Sequence, residues 1–90
     1  MTGLAERLRA GETLISGWTQ LPEPLVSELV ARQGFDAVTM DMQHGLHDTQ
    51  SVMRSISGVA YAGKPAIVRI AVGDNVTVSR ALDFGAEAVI

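Results

Sequence analysis

Ninety residues with 47% hydrophobic and 19% charged side chains suit one small globular domain and exclude a disordered or fibrous chain. The formal net charge of −3 includes no basic run interleaved with aromatics, which argues against a nucleic-acid partner, and the lack of cysteine excludes disulfide staples and thiolate metal sites. Met1 to Ala10 alternates charged with short apolar residues, so neither a signal-peptide core nor a membrane span is expected there, and a cytoplasmic protein with no membrane partner is the default.

In chain order, Leu4 to Arg9 forms a short lead-in helix that Gly11 breaks, and Thr13 to Trp18 reads as the first strand. Pro22 and Pro24 stand where a helix begins. Leu25, Val26, Leu29 and Val30 recur on its inward face until Gly34 supplies a left-handed stop. Phe35 to Met42 is a second strand, followed by a polar loop from Gln43 to His47. The segment Asp48 to Ala60 is then a helix with Asp48 as N-cap and Val52, Met53, Ile56, Val59 and Ala60 on its buried stripe. Lys64 and Pro65 lead into a third strand, Ala66 to Ala71. Asp74 caps a further helix that turns Val78, Ala81 and Leu82 inward and ends at Gly85, before Glu87 to Ile90 opens a fourth strand.

After the lead-in helix the order is β-α-β-α-β-α-β. Such alternation, with short connections and nearly continuous apolar strands, implies an α/β fold with a parallel sheet and right-handed crossovers. A doubly wound open sheet and a (β/α)8 TIM barrel both satisfy this pattern. The chain closes on the apolar strand Ala88-Val89-Ile90 with no helix to cover it, and a barrel needs roughly 250 residues. The expectation is therefore that residues 1–90 are the N-terminal part of a single TIM-barrel domain, about its first half.

In parallel α/β folds reactive side chains gather at the carboxyl ends of strands and in the loops that follow. The first strand ends at Trp18, the second at Asp41 with His44 just beyond, and the third carries Arg69 near its end. Arg69 sits in the apolar run Ala66-Ile67-Val68-Arg69-Ile70 and needs an anionic partner, which a carboxylate substrate or an acidic residue of a neighbouring strand supplies. The unperturbed imidazole of histidine changes charge near neutral pH, a type of side chain suited to proton transfer, and Asp41 is placed to orient the His44 ring; taken alone, a loop histidine is more often solvated or structural. His44 and His47, flanked by Asp41 and Asp48, make an H-x-x-H pattern. That spacing suits a metal on a helix, but here it falls in a loop containing Gly45, and Asp48 serves better as a cap. Trp18 reads as pocket wall or core filler, and no glycine-rich nucleotide fingerprint occurs.

The stretch Gly34-Phe35-Asp36-Ala37-Val38-Thr39-Met40-Asp41-Met42-Gln43-His44-Gly45 resembles the hallmark of the HpcH/HpaI-type aldolases. In order along the chain it is joined by Gly17-Trp18, Val68-Arg69, Asp74 and Leu82-Asp83-x-Gly85-Ala86. The resemblance implies a lyase of the class II, metal-dependent pyruvate aldolase type, which reversibly cleaves 4-hydroxy-2-oxo acids into pyruvate and an aldehyde. By position it implies His44 as general acid or base, Asp41 as its partner and Arg69 as the contact to the pyruvate oxygens, with Trp18 beside the substrate. It also implies a divalent metal, Mg or Mn with Co and Zn as further options. The ligands of that metal are expected downstream of residue 90, and the assembly is expected to be a homo-oligomer, commonly a hexamer. Gln43 stands where many members carry Glu. Two rival readings are a non-catalytic α/β fragment that self-associates through its open fourth strand, and a related oxo-acid decarboxylase or lyase.

Overall fold

The turns between elements fall where glycine releases the backbone: Gly11, Gly34 and Gly85 take φ of 85°, 89° and 115°, each just past a helix. The computed structural model describes residues 3–90; Met1 and Thr2, at the head of the segment read for a leader, lie outside the described residues. The order is α1 (Leu4–Arg9), β1 (Ser16–Thr19), α2 (Pro24–Ala31), β2 (Ala37–Asp41), α3 (Thr49–Tyr61), β3 (Ala66–Arg69), α4 (Asn75–Phe84) and β4 (Ala88–Val89). The strands form one parallel sheet in the order β1-β2-β3-β4. Consecutive parallel neighbours joined by helices are the arrangement the alternating sequence requires, and the fold is of the (β/α)-barrel class over these four strands.

Side chains alternate across each strand, so Val38, Met40 and Val68 point to one face and Thr39, Asp41 and Arg69 to the other. The first set packs under α3, whose Val52, Ile56 and Val59 are fully buried, and this apolar layer is the core. Each such side chain contributes roughly 1.5–3 kcal/mol by leaving water. Helix α3 starts where the sequence says, because the Asp48 carboxylate accepts the Ser51 N–H at 2.8 Å while Ser51 Oγ accepts the Asp48 N–H at 2.9 Å, a reciprocal cap. Asp74 caps α4 one-sidedly, its carboxylate accepting both the Thr77 N–H at 3.1 Å and the Thr77 hydroxyl at 2.6 Å.

Several expected inward faces are different. Leu25 and Leu29 are 58% and 49% exposed, and Ser27 and Ala31 are buried in their place. Helix α2 lies so close to α3 that a Cβ on Gly58 would sit 3.3 Å from Glu28 Cβ, and only small side chains fit that seam. Ala60 and Leu82 are also exposed rather than inward. Helix α4 packs on α3 and β4 through its buried Thr77 and Ala81, and Leu82 stays exposed. The first strand begins at Ser16, not Thr13, because its partner begins at Ala37; Ile15 is instead clasped by Asp36, which accepts its N–H at 2.9 Å and donates its own N–H to Ile15 O at 2.8 Å.

Candidate active site

Parallel register sets the site. Trp18 pairs with Thr39 and Asp41 with Arg69, so three long polar side chains rise from adjacent strands at their carboxyl ends, on the face away from α3. The Asp41 carboxylate is fully buried. Its Oδ2 accepts the Trp18 indole N–H at 3.2 Å and an Arg69 Nη1–H at 3.4 Å. The Arg69 guanidinium lies over the Trp18 ring, 5.7 Å from its centroid, and donates its Nε–H to Gln43 Oε1 at 2.9 Å. A neighbouring strand therefore supplies the anionic partner that Arg69 was expected to need.

The second oxygen of Asp41 organises the loop. Its Oδ1 accepts the backbone N–H groups of Gln43 at 2.9 Å and His44 at 3.0 Å, and Leu46 N–H reaches back to Gln20 O at 2.8 Å. Gly45 lets this turn close, since a Cβ there would lie 2.5 Å from Asp41 O and 3.1 Å from Gln20 Cα. Burial alone pushes the Asp41 carboxyl up, but the backbone N–H of His44, the Trp18 indole and the N–H groups of Gln43 and Gly45 outweigh it. The group is held below the ordinary carboxylate value and stays ionised. The expected orientation of the His44 ring by Asp41 takes another form. Asp41 grips the His44 backbone, no hydrogen bond among the described residues joins the two side chains, and the imidazole is exposed beside the cluster.

His47 faces inward and is buried. Its Nε2 lies 3.1 Å from Thr19 Oγ1 and its Nδ1 3.0 Å from Ser51 Oγ, which ties the end of β1 to the first turn of α3 beneath the loop. Burial lowers its pKa against the opposing pull of Asp48 and Asp41. With His47 in this network and Asp48 used as a cap, the H-x-x-H pattern is no metal centre. Among the described residues no three histidine, aspartate or glutamate side chains group as metal ligands, so these residues alone do not fit the divalent cation that the resemblance implies.

Trp18, Asp41 and Arg69 thus come together, and His44 stands beside them on the same loop as Gln43. Sequence reading missed Gln43 as the second hold on Arg69 and Gly45 as the residue that lets the loop fold onto Asp41. Their position directly after the strand was the available signal. A cavity of about 430 Å³ lies at the opposite, amino end of the sheet beneath α1, lined by Arg7, Asp36, Lys64 and Glu87 among others and by none of the site residues. Among the described residues no helix is long and apolar enough to cross a membrane.

No protein-family model matches the chain. It is similar to the hydroxypyruvate/pyruvate aldolase of Pseudomonas aeruginosa, 35% identical over 86 residues that cover 94% of this chain and 32% of that protein. Among solved structures, the HpcH/HpaI aldolase from Desulfitobacterium hafniense DCB-2 superposes with a TM-score of 0.82 at 29% identity, covering 96% of this chain and 34% of that one. Citrate synthase SbnG superposes with a TM-score of 0.85 at 27% identity, covering 96% and 35%. The chain spans about a third of the length of the proteins it matches. Sequence and backbone agree over nearly all of these residues, and across that span the chain is similar to the pyruvate aldolases and to the HpcH/HpaI aldolases of known structure.

Proposed function

We propose that residues 1–90 form the N-terminal part of a (β/α)8-barrel domain in a cytoplasmic, homo-oligomeric carbon–carbon lyase that reversibly cleaves 4-hydroxy-2-oxo acids into pyruvate and an aldehyde. The observation that carries this reading is the setting of Arg69. Indole, carboxylate and amide hold its guanidinium on three sides. Only two of the five N–H bonds of an arginine are used there, which leaves three for an anion at the carboxyl end of the sheet.

Cleavage begins as a base takes the proton from the C4 hydroxyl. The C3–C4 bond breaks, the aldehyde carbonyl forms, and the electron pair passes into an enolate whose charge rests on the C2 oxygen; protonation at C3 then gives pyruvate. Arg69 binds the carboxylate and steadies the growing charge, an interaction strongest where water is excluded. His44 moves the proton, Trp18 walls the substrate, and Asp41 acts by fixing both Arg69 and the loop that bears His44. The described residues bring together no ligand set for a metal, whose ligands are expected downstream of residue 90. Mg or Mn belongs to the proposal as an activator tested in the same assay.

The test is exchange of pyruvate methyl protons with deuterated solvent, together with aldol product analysis, in the native protein supplied with Mg or Mn. Both activities are expected, and His44→Ala should remove them. Absence of both in the parent protein, or retention of either in the variant, overturns the proposal.

A further inference from the structure

The loop between β2 and α3 carries His44 in the open and is fastened at both ends. Asp41 holds the near end through the N–H groups of Gln43 and His44. The far end is fastened by a side chain that the aldolase reading leaves without a part. His47 is 5% exposed and turns inward, although Leu46 and Asp48 on either side of it are exposed. Its ring nitrogens meet hydroxyls from two different elements, Thr19 at the end of β1 and Ser51 in the first turn of α3.

Burial lowers the pKa of His47 and keeps its ring neutral at neutral pH. A neutral imidazole has one donor and one acceptor at separate corners, and a hydroxyl can take either role. Ser51 Oγ also reaches Asp48 O at 3.2 Å and Thr19 Oγ1 reaches Thr39 O at 3.4 Å, so both contacts are satisfied whichever ring nitrogen carries the proton. An apolar side chain of similar size would fill the space and join neither element. His44 stands three positions before His47. Between them, Gly45 lies tight against Asp41 and Leu46 N–H reaches Gln20 O at 2.8 Å, so slack at position 47 passes to His44 over a short, close-packed turn. We propose that His47 is a positioning residue for the proton transfer: by pinning the far end of the loop to β1 and α3, it fixes where His44 stands beside Arg69. The inference rests on the proposed aldolase reading, in which His44 moves the proton.

The experiment measures pyruvate methyl-proton exchange in the native protein supplied with Mg or Mn, and counts pyruvate-binding sites and their affinity by titration calorimetry. Dividing kcat by the number of sites separates a misplaced His44 from a smaller folded population. His47→Leu should lower kcat per site about tenfold or more, since a misplacement of about 1 Å costs about 10²-fold. Arg69 keeps its own contacts, so the pyruvate Kd should stay within about twofold of the parent. His47→Gln, whose amide again offers a donor and an acceptor, should recover most of the loss. Thr19→Val, which removes one of the two hydroxyls at nearly constant shape, should lower kcat per site by a smaller factor and add nothing in the background of His47→Leu. It also carries the test if the leucine variant fails to fold: kcat per site equal to that of the parent in Thr19→Val then overturns the inference. So does a folded His47→Leu with kcat per site within about twofold of the parent, a Kd that weakens in step with kcat, or full additivity of the two substitutions. A parent without exchange sinks the aldolase reading and this inference with it, a result distinct from normal parent exchange that the variants leave unchanged.

Discussion

Each end of the sheet holds an arginine–aspartate pair, and the two pairs differ in their surroundings. At the amino end Arg7 lies 3.2 Å from Asp36 and 3.1 Å from Glu12, two carboxylates for one cation, with all three side chains partly in water. At the carboxyl end Arg69 has one carboxylate, the fully buried Asp41, and completes its contacts with a neutral amide and an aromatic face. The first cation is over-supplied with negative charge and serves to pin α1 and the clasp around Ile15. The second is matched by a single carboxylate and keeps N–H groups that the cluster does not use, which is the condition for binding an anion. The contrast follows the general division of such folds into a stabilising end and a reactive end.

The largest expected effect breaks the carboxyl-end pair. Arg69→Ala should lower pyruvate exchange by about 10²–10³, the usual loss when a donor to developing oxyanion charge is removed. Arg69→Lys should recover little, since an ammonium lacks the planar fork that meets Asp41, Gln43 and the Trp18 face at once. Exchange in Arg69→Ala within threefold of the parent would show that the guanidinium is no more than a structural partner of Asp41.

A smaller effect should come from pH through His47. Burial holds its folded pKa below the ordinary value near 6.5. Between those two values the unfolded chain binds more protons than the folded one, so stability rises with pH there and falls as pH drops from about 6.5 toward the folded value. Asp41 and Asp36, whose pKa values are also lowered, contribute stability that is lost only at more acid pH, as the medium falls below about 3.9. His47→Gln keeps a polar group in the pocket but does not titrate. The gap in unfolding free energy between parent and variant should therefore narrow as pH falls from about 7 to about 5. A constant gap would mean that the imidazole does not titrate differently in the folded and unfolded chains.

These contrasts were only partly legible in the sequence. The caps at Asp48 and Asp74, the glycine stops and the alternation of strands with helices are local signals, and each was readable from its immediate neighbours. The inward face of α2 was not. An apolar stripe of Leu25, Val26, Leu29 and Val30 satisfies helical periodicity, but whether Leu25 or Ser27 is buried depends on Gly58, about thirty positions away, drawing α3 close. The start of β1 was set by Ala37 across the ladder, again a distant partner. In the site, composition and position singled out Trp18, Asp41 and Arg69. That Asp41 would spend one oxygen on the loop backbone and the other on the indole and the guanidinium is a matter of register, which no single strand encodes.

The smallest expected effect is at the amino end. Arg7→Ala leaves Glu12 and Asp36 without their ion-pair partner, yet Asp36 keeps the field of Lys64 and both carboxylates retain access to water. Asp36 also keeps the Ile15 N–H, so the clasp between the first two strands survives the substitution. Exposed pairs of this kind are screened by salt and contribute little. Thermal unfolding should begin only slightly earlier than in the parent, and that difference should disappear in about 1 M salt, where the screening length is near 3 Å. Pyruvate exchange should be unchanged, because nothing at this end touches the loop that carries His44. A loss of exchange comparable to that of Arg69→Ala would mean that the two ends of the sheet are coupled, and that the division of labour between their arginines is wrong.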